Sequence, residues 1–332
     1  MTRVALIGAG MWAPRLAAAA ERAGLELVTV HARSDAAREA LADRFGCRAA
    51  ATFDDAISEA DGVLLATPND VHAEQAAACA ASGRHVFVEK PIADTVEAAE
   101  RIRDACADVV LMVGHAFRRL GAARRARALI DEGRLGTVVL AEANFSLPGK
   151  LPPTAWRAQR ARNPGGPIMQ LGIHHVDTLA YLLGRVVHAS GRFARVHTSA
   201  EIDDVGVATL AFETGAVGVV TGSYVSPHVF SIRLLGSDGV LDYRADLGAV
   251  WPAAERVDEV TTLTLNGEPV AFEPRDMLAE ELAEFGAAIR GETAVETGAA
   301  EGIAALRAVL DAVGTREARA DRNARPQGGV TA

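Results

Sequence analysis

Between Val4 and Ala23 the chain sets an apolar strand, a glycine-bearing turn and a small-residue helix directly against one another, an order that few folds accommodate. Val4-Ala5-Leu6-Ile7 runs into Gly8-Ala9-Gly10-Met11-Trp12-Ala13 and then into an alanine-rich helical stretch from Pro14 to Ala23. The turn reads G-x-G-x-x-A. Gly8 permits the sharp turn, Gly10 lets a pyrophosphate approach the backbone, and the small Ala13 lets helix and strand pack closely. The helix N-terminus adds free amides and the positive end of its dipole, and Pro14 is tolerated only in a first turn. A plain tight turn is the alternative, but it leaves the strand before and the helix after unexplained. The segment predicts a dinucleotide-binding loop in which Gly8, Gly10, Met11 and Trp12 meet the ligand.

The second strand, Leu27 to Val30, ends in His31-Ala32-Arg33-Ser34, where an acidic residue ordinarily receives the adenosine ribose of NAD. Asp35 comes too late to fill that role. Arg33 and Ser34 suit a 2′-phosphate instead, through a charge-assisted contact and a hydroxyl, so NADP(H) is expected over NAD(H). If Arg33 merely stacks on the adenine, NAD remains open.

Helices over Asp35 to Phe45 and Asp54 to Ala60 lead to a strand, Gly62 to Ala66, that ends in Thr67-Pro68-Asn69-Asp70-Val71-His72. Thr67, Asn69 and His72 are candidate cofactor contacts, with helix capping the competing role for Asn69. A helix from Ala73 to Ser82 then precedes Gly83-Arg84-His85-Val86-Phe87-Val88-Glu89-Lys90-Pro91. In open α/β sheets ligands bind beyond the carboxyl ends of the strands, which is where Glu89 and Lys90 fall. Pro91 fixes its own φ and restricts the lysine before it. The competing reading is a surface lysine paired with Glu89. A helix from Thr95 to Ala105 and a strand from Val109 to Val113 complete a doubly wound parallel unit, placed at residues 1–120.

From Gly121 the pattern changes. A helix over Ala122 to Glu132 and a strand over Thr137 to Ser146 precede a loop marked by Pro148, Pro152 and Pro153. Trp156, Arg157 and the earlier Arg118 are candidate cleft groups for substrate or cofactor, against a packed indole and surface guanidiniums. Pro164-Gly165-Gly166-Pro167-Ile168-Met169-Gln170-Leu171-Gly172-Ile173-His174-His175-Val176-Asp177 is a glycine-rich entry into a helix. Ile173, Val176, Ala180 and Leu183 form its apolar face. His174 lies off that face, which admits either a structural role or projection into a cleft. Alternating runs at Gly206 to Phe212, Ala216 to Tyr224, Ser231 to Leu235 and Val240 to Tyr243 follow, with Asn266-Gly267 as a hairpin turn. They predict one large, mainly antiparallel open sheet in a second α/β domain over 121–318. Such a sheet leaves a face needing cover, so a homodimer or homotetramer through it is expected. Helices Met277 to Arg290 and Ala299 to Val313 close the fold, and 319–332 reads as a disordered tail.

A net charge of −9 leaves no broad basic surface, which argues against nucleic acid or an anionic membrane as partner. Cys47, Cys79 and Cys106 are widely spaced and lack clustered histidines, so neither a disulfide framework nor a metal site is expected. No apolar run approaches the ~20 residues of a membrane span. With a strand beginning near residue 4 there is no room for a signal peptide, and a soluble, cytoplasmic protein is expected.

Taken together, these motifs make the chain resemble the Gfo/Idh/MocA (glucose-fructose oxidoreductase/inositol dehydrogenase/MocA) family over residues 3 to 318. Gly8 to Ala13, Thr67-Pro68-Asn69, Glu89-Lys90-Pro91 and Gly172 to Asp177 carry the resemblance. It implies hydride transfer between a nicotinamide and a carbinol or carbonyl carbon of a sugar, inositol or related polyol. It also implies that Lys90 and His174 face the reacting oxygen. His174, with an ordinary pKa near ~6.5, is then the expected general acid/base, and Lys90 the electrostatic stabiliser and hydrogen-bond donor, with a share in the proton transfer as the alternative. Gln170 stands where the family commonly has aspartate. It is expected to position substrate in a more electropositive site, one suited to carbonyl reduction or to a negatively charged substrate. Two other functions fit the same motifs: an NAD-dependent, redox-neutral glycosidase and a non-catalytic nucleotide sensor.

Overall fold

The computed structural model describes residues 1–149, 155–250 and 253–323, so Pro152, Pro153 and the tail beyond 323 lie outside the described residues. The chain first alternates β1 (Arg3–Ile7), α1 (Ala13–Arg22), β2 (Glu26–His31), α2 (Asp35–Phe45), β3 (Arg48–Ala49), α3 (Phe53–Ile57), β4 (Gly62–Leu65), α4 (His72–Ala81), β5 (His85–Glu89), α5 (Val96–Ala105) and β6 (Leu111–Gly114). These six strands pair in parallel in the order β3-β2-β1-β4-β5-β6. The central strands read as near-continuous apolar runs because helices cover both faces of a parallel sheet. Val4 to Ile7, Val63 to Leu65 and Val86 to Val88 are accordingly buried. Ser34 and Thr95 cap α2 and α5 by accepting from the amides of Ala37 and Ala98, which starts each helix directly after its strand or loop.

The second half continues with α6 (Gly121–Asp131), β7 (Val138–Ser146), α7 (Ile173–Leu183), β8 (Val186–Ala194), β9 (Val205–Phe212), β10 (Val217–Ser223), β11 (Val229–Gly236), β12 (Val240–Ala245), the short α8 (Leu247–Val250), β13 (Thr261–Leu265), β14 (Glu268–Pro269), α9 (Met277–Ile289) and α10 (Ala299–Asn323). Its eight strands run β14-β13-β12-β11-β7-β10-β9-β8, antiparallel except where β7 and β10 pair in parallel. Asn266 and Gly267 both take positive φ, 54° and 85°, as a two-residue hairpin turn requires. One face of the sheet carries α6, α7 and α10, while the other leaves Val217 half exposed beside Leu140, Thr209, Ala211 and Val219.

Two features bear on the expected division of the chain. Helix α10 continues to Asn323, through the first five residues of the segment read as a tail. Helix α9 returns to the first sheet, where Phe285 meets Phe87 with ring centroids 5.9 Å apart. The first unit's covering therefore includes residues far beyond 120.

Among the described residues no helix is long and apolar enough to cross a membrane, and no group of three His, Cys, Asp or Glu could hold a metal ion.

Candidate active site

The carboxyl ends of β1, β4 and β5 face the glycine-rich entry to α7 across a cavity of about 450 Å³. Met11, Trp12, Thr67, Asn69, Glu89 and Lys90 line it from the first sheet; Arg157, Gln170 and His174 line it from the second half. Nine of the residues singled out from sequence therefore meet in one cleft, although they span more than 160 positions of the chain. Phe117, Phe145 and Tyr224, which carried no sequence signal, complete the wall.

The glycine loop fits a dinucleotide. Gly8 has φ +112°, and a Cβ there would lie 2.6 Å from the Ala66 carbonyl oxygen, so the loop passes close against the end of β4. At Gly10 a Cβ would meet nothing within 4 Å, which leaves the backbone open to an approaching phosphate. The Ser34 hydroxyl caps α2 by accepting from the Ala37 amide at 3.4 Å, which leaves its own O–H free to donate. Arg33 beside it is exposed, with no side-chain partner among the described residues.

The Lys90–Pro91 peptide bond is cis, and the Lys90 Nζ donates to the backbone carbonyl of Gln170 at 2.9 Å. Burial pushes the ammonium down to about 8, partly offset by the neighbouring Glu89 carboxylate. Burial likewise pushes Glu89 up, and Lys90 pulls it back. The Trp12 indole lies near the Glu89 carboxylate but outside direct hydrogen-bond geometry. The His174 ring packs 4.3 Å from the Phe117 ring. Burial holds its pKa well below the ordinary value, and Lys90, His115 and His175 push the same way. Its two histidine neighbours are both lowered to about 4, chiefly by burial. With no carboxylate at position 170, His174 is a neutral imidazole at neutral pH.

Three further candidates do not line the cavity. Arg118 is buried behind the cleft, where its Nε and Nη2 grip Asp177 at 2.9 and 2.6 Å. It is not among the residues lining the cavity, and the pair with Asp177 gives it a structural role in place of the substrate contact expected from sequence. His72 is fully buried, with ring nitrogens 3.0 and 3.2 Å from the carbonyls of Thr67 and Ile92. It ties the two cofactor-side loops together from beneath and makes no wall of the cavity. Trp156 stands behind Arg157, whose guanidinium lies 4.5 Å from the indole centroid.

Sequence reasoning missed Asn163. It is fully buried, and its side chain bonds the Arg157 backbone and the Gln170 amide. It also missed the π-helical turn Ile168–Gly172 that carries Gln170 into the cleft, a distortion often found at functional sites. Pro167 opens that turn, and neither feature has a local sequence pattern.

Residues 2–116 match the family model described as oxidoreductase family, NAD-binding Rossmann fold, and residues 123–242 match the GFO/IDH/MocA C-terminal domain. The 1,5-anhydro-D-fructose reductase of Ensifer adhaerens is 28% identical over 96% of this chain and 98% of its own. Inositol 2-dehydrogenase of Rhizobium meliloti is 30% identical over 93% and 95%, and the NADP(+)-dependent D-xylose 1-dehydrogenase of Haloarcula marismortui is 30% identical over 85% and 82%. The crystal structure of a candidate NADPH-dependent oxidoreductase from Desulfitobacterium hafniense superposes with a TM-score of 0.91, at 34% identity over 96% of both chains.

Proposed function

Because this chain belongs to the Gfo/Idh/MocA family of NAD(P)-dependent oxidoreductases acting on sugars and polyols, we propose that it interconverts a carbinol and a carbonyl on a sugar-like substrate, with NADP(H) as cofactor. Bound NADP(H) would supply or accept the hydride. Gly8, Gly10, Met11 and Trp12 would hold its pyrophosphate, Thr67, Asn69 and Glu89 would border the nicotinamide half, and Arg33 would meet the 2′-phosphate.

The observation that carries the reading is the juxtaposition of Lys90 and His174 in one cavity, with the lysine held 2.9 Å from the Gln170 carbonyl and brought down to about 8. An alcohol gives up hydride only as its proton leaves, so a base must stand at that oxygen. Neutral Lys90 takes the proton in oxidation, and its ammonium returns it in reduction while neutralising the developing alkoxide. His174, kept neutral by burial, donates or accepts a hydrogen bond at the same oxygen. This gives Lys90 the proton transfer that the sequence reading gave first to His174, with Lys90 as the alternative. Burial acts on both groups, but the lysine ends poised near the working pH and the histidine ends far below it.

Arg157 and Tyr224 border the substrate end, and the half-exposed face around Val217 suits a second copy of the chain. The sensor reading gains nothing from this geometry, since a sensor has no use for a desolvated lysine; the redox-neutral reading would use the same base, and net cofactor turnover with product separates it.

The test is a pH profile of kcat/KM in both directions. Oxidation should rise through about pH 8 and reduction should fall through it, because one needs Lys90 neutral and the other needs it charged. The limb should persist in His174→Asn at reduced rate. A limb that vanishes in His174→Asn returns the proton transfer to the histidine.

A further inference from the structure

Gln170 carries an amide whose two ends look alike in shape and opposite in hydrogen bonding, so which end faces the cavity decides what the site can read. Two contacts fix it. Asn163, fully buried, places one end of its own amide 2.9 Å from the Arg157 carbonyl oxygen. A backbone carbonyl can only accept, so that end is Nδ2 and the other is Oδ1. Oδ1 lies 3.2 Å from the Gln170 amide, and an oxygen acceptor there requires Nε2 to face it. That leaves Oε1 as the other end of the amide, with no side-chain bond among the described residues, on a residue that lines the cavity. The Tyr224 phenol, beside Asn163, closes the buried side by donating to the Gly166 carbonyl at 3.2 Å. Polar groups buried this deeply keep their bonds, so reversing either amide would set two acceptors face to face.

We infer that Asn163 is a positioning residue that sets Gln170 with its carbonyl toward substrate, so that the cavity selects a ligand presenting a hydrogen-bond donor, a free hydroxyl close to the reacting carbon. The inference rests on the sugar oxidoreductase reading and narrows it. An aspartate at 170 would accept from a hydroxyl too, but it would add charge and serve as proton acceptor. Gln170 accepts without charge, leaving Lys90 the sole proton carrier among the groups at that oxygen. An ether, acetal or second carbonyl at the same position would put acceptor against acceptor. The Gln170 main chain contributes separately, since its carbonyl receives Lys90 Nζ. One residue thus sets both the lysine and the neighbouring hydroxyl.

Two measurements test this. The first needs no turnover. In isotope-labelled protein the side-chain amide signals of Gln170, identified by their loss in Gln170→Glu, should exchange slowly with deuterated solvent, because Nε2 faces buried Asn163. Exchange as fast as that of exposed glutamines would put Nε2 in the cavity and overturn the inference. The second compares 1,5-anhydro-D-fructose, D-xylose and myo-inositol with their mono-deoxy and mono-O-methyl derivatives. For the compound turned over, one position should lose about tenfold or more in kcat/KM on either modification. That ratio should collapse toward one in Gln170→Met and in Asn163→Leu. A ratio unchanged in Gln170→Met, or no sensitive position in the wild type, overturns the inference while leaving the oxidoreductase reading intact. If none of the compounds reacts with either cofactor, the oxidoreductase reading is what fails, and amide exchange still decides the orientation.

Discussion

Removing the Arg118 guanidinium separates a structural role from a substrate-binding one, because the two readings assign the damage to different quantities. The Arg118 and Asp177 side chains are 7% and 2% exposed, and they share two short charge-assisted bonds. In Arg118→Ala the Asp177 carboxylate stays buried with no cation in contact, and its remaining neighbour, His115 at 3.8 Å, is held neutral by burial. Stranding one partner of a buried pair costs about 3–5 kcal/mol, a factor of at least one hundred in the unfolding equilibrium at ~1.4 kcal/mol per tenfold. The aromatic contact with Tyr181, 5.4 Å from the guanidinium carbon, is lost as well. Urea unfolding followed by circular dichroism should register this loss, while KM of the surviving folded enzyme changes less than threefold. Removing both charges together in Arg118→Met/Asp177→Leu should cost less than the two single changes summed. A variant as stable as the wild type whose KM rises tenfold would refute the buried-pair account and return Arg118 to the substrate.

Two further predictions bear on the cofactor and on the charge at position 170. Arg33→Ala should lower kcat/KM for NADP(H) about tenfold or more while changing that for NAD(H) less than twofold; equal losses would remove the 2′-phosphate role. Gln170→Asp places a carboxylate one turn before His174, so the imidazole's pKa should rise and a new limb should enter the pH profile on the acid side of the Lys90 limb. Limbs that coincide with wild type would show that residue 170 does not tune this site.

The parts of the architecture legible in the sequence were those encoded locally. Val4 to Ala13 carries its strand, its turn and the start of its helix within ten residues, and the Asn266-Gly267 turn is set by two backbones that both need positive φ. Lys90 and His174 could be singled out because each follows a pattern that marks a strand end or a helix start. What stayed hidden depends on partners distant in the chain. Arg118 reads as a free cleft arginine until Asp177, 59 positions later, closes on it. His72 reads as a cofactor contact until Ile92 and Thr67 occupy both its ring nitrogens. Asn163 is one asparagine in a polar loop, and its burial arises only when the chain folds it beneath Gln170. The pKa order of Lys90 and His174 was hidden for the same reason, since desolvation belongs to the assembled cavity and not to either residue.

The central claim is tested most directly by following the near-ultraviolet absorbance of reduced nicotinamide with NADP and NAD in turn, across aldoses, inositols, ketoses and anhydro sugars, in both directions. The account predicts turnover of at least one of them, faster with NADP(H), and reduced by about a hundredfold or more in Lys90→Met. Turnover that survives Lys90→Met, or tight cofactor binding with no hydride transfer to any of these compounds, would contradict it.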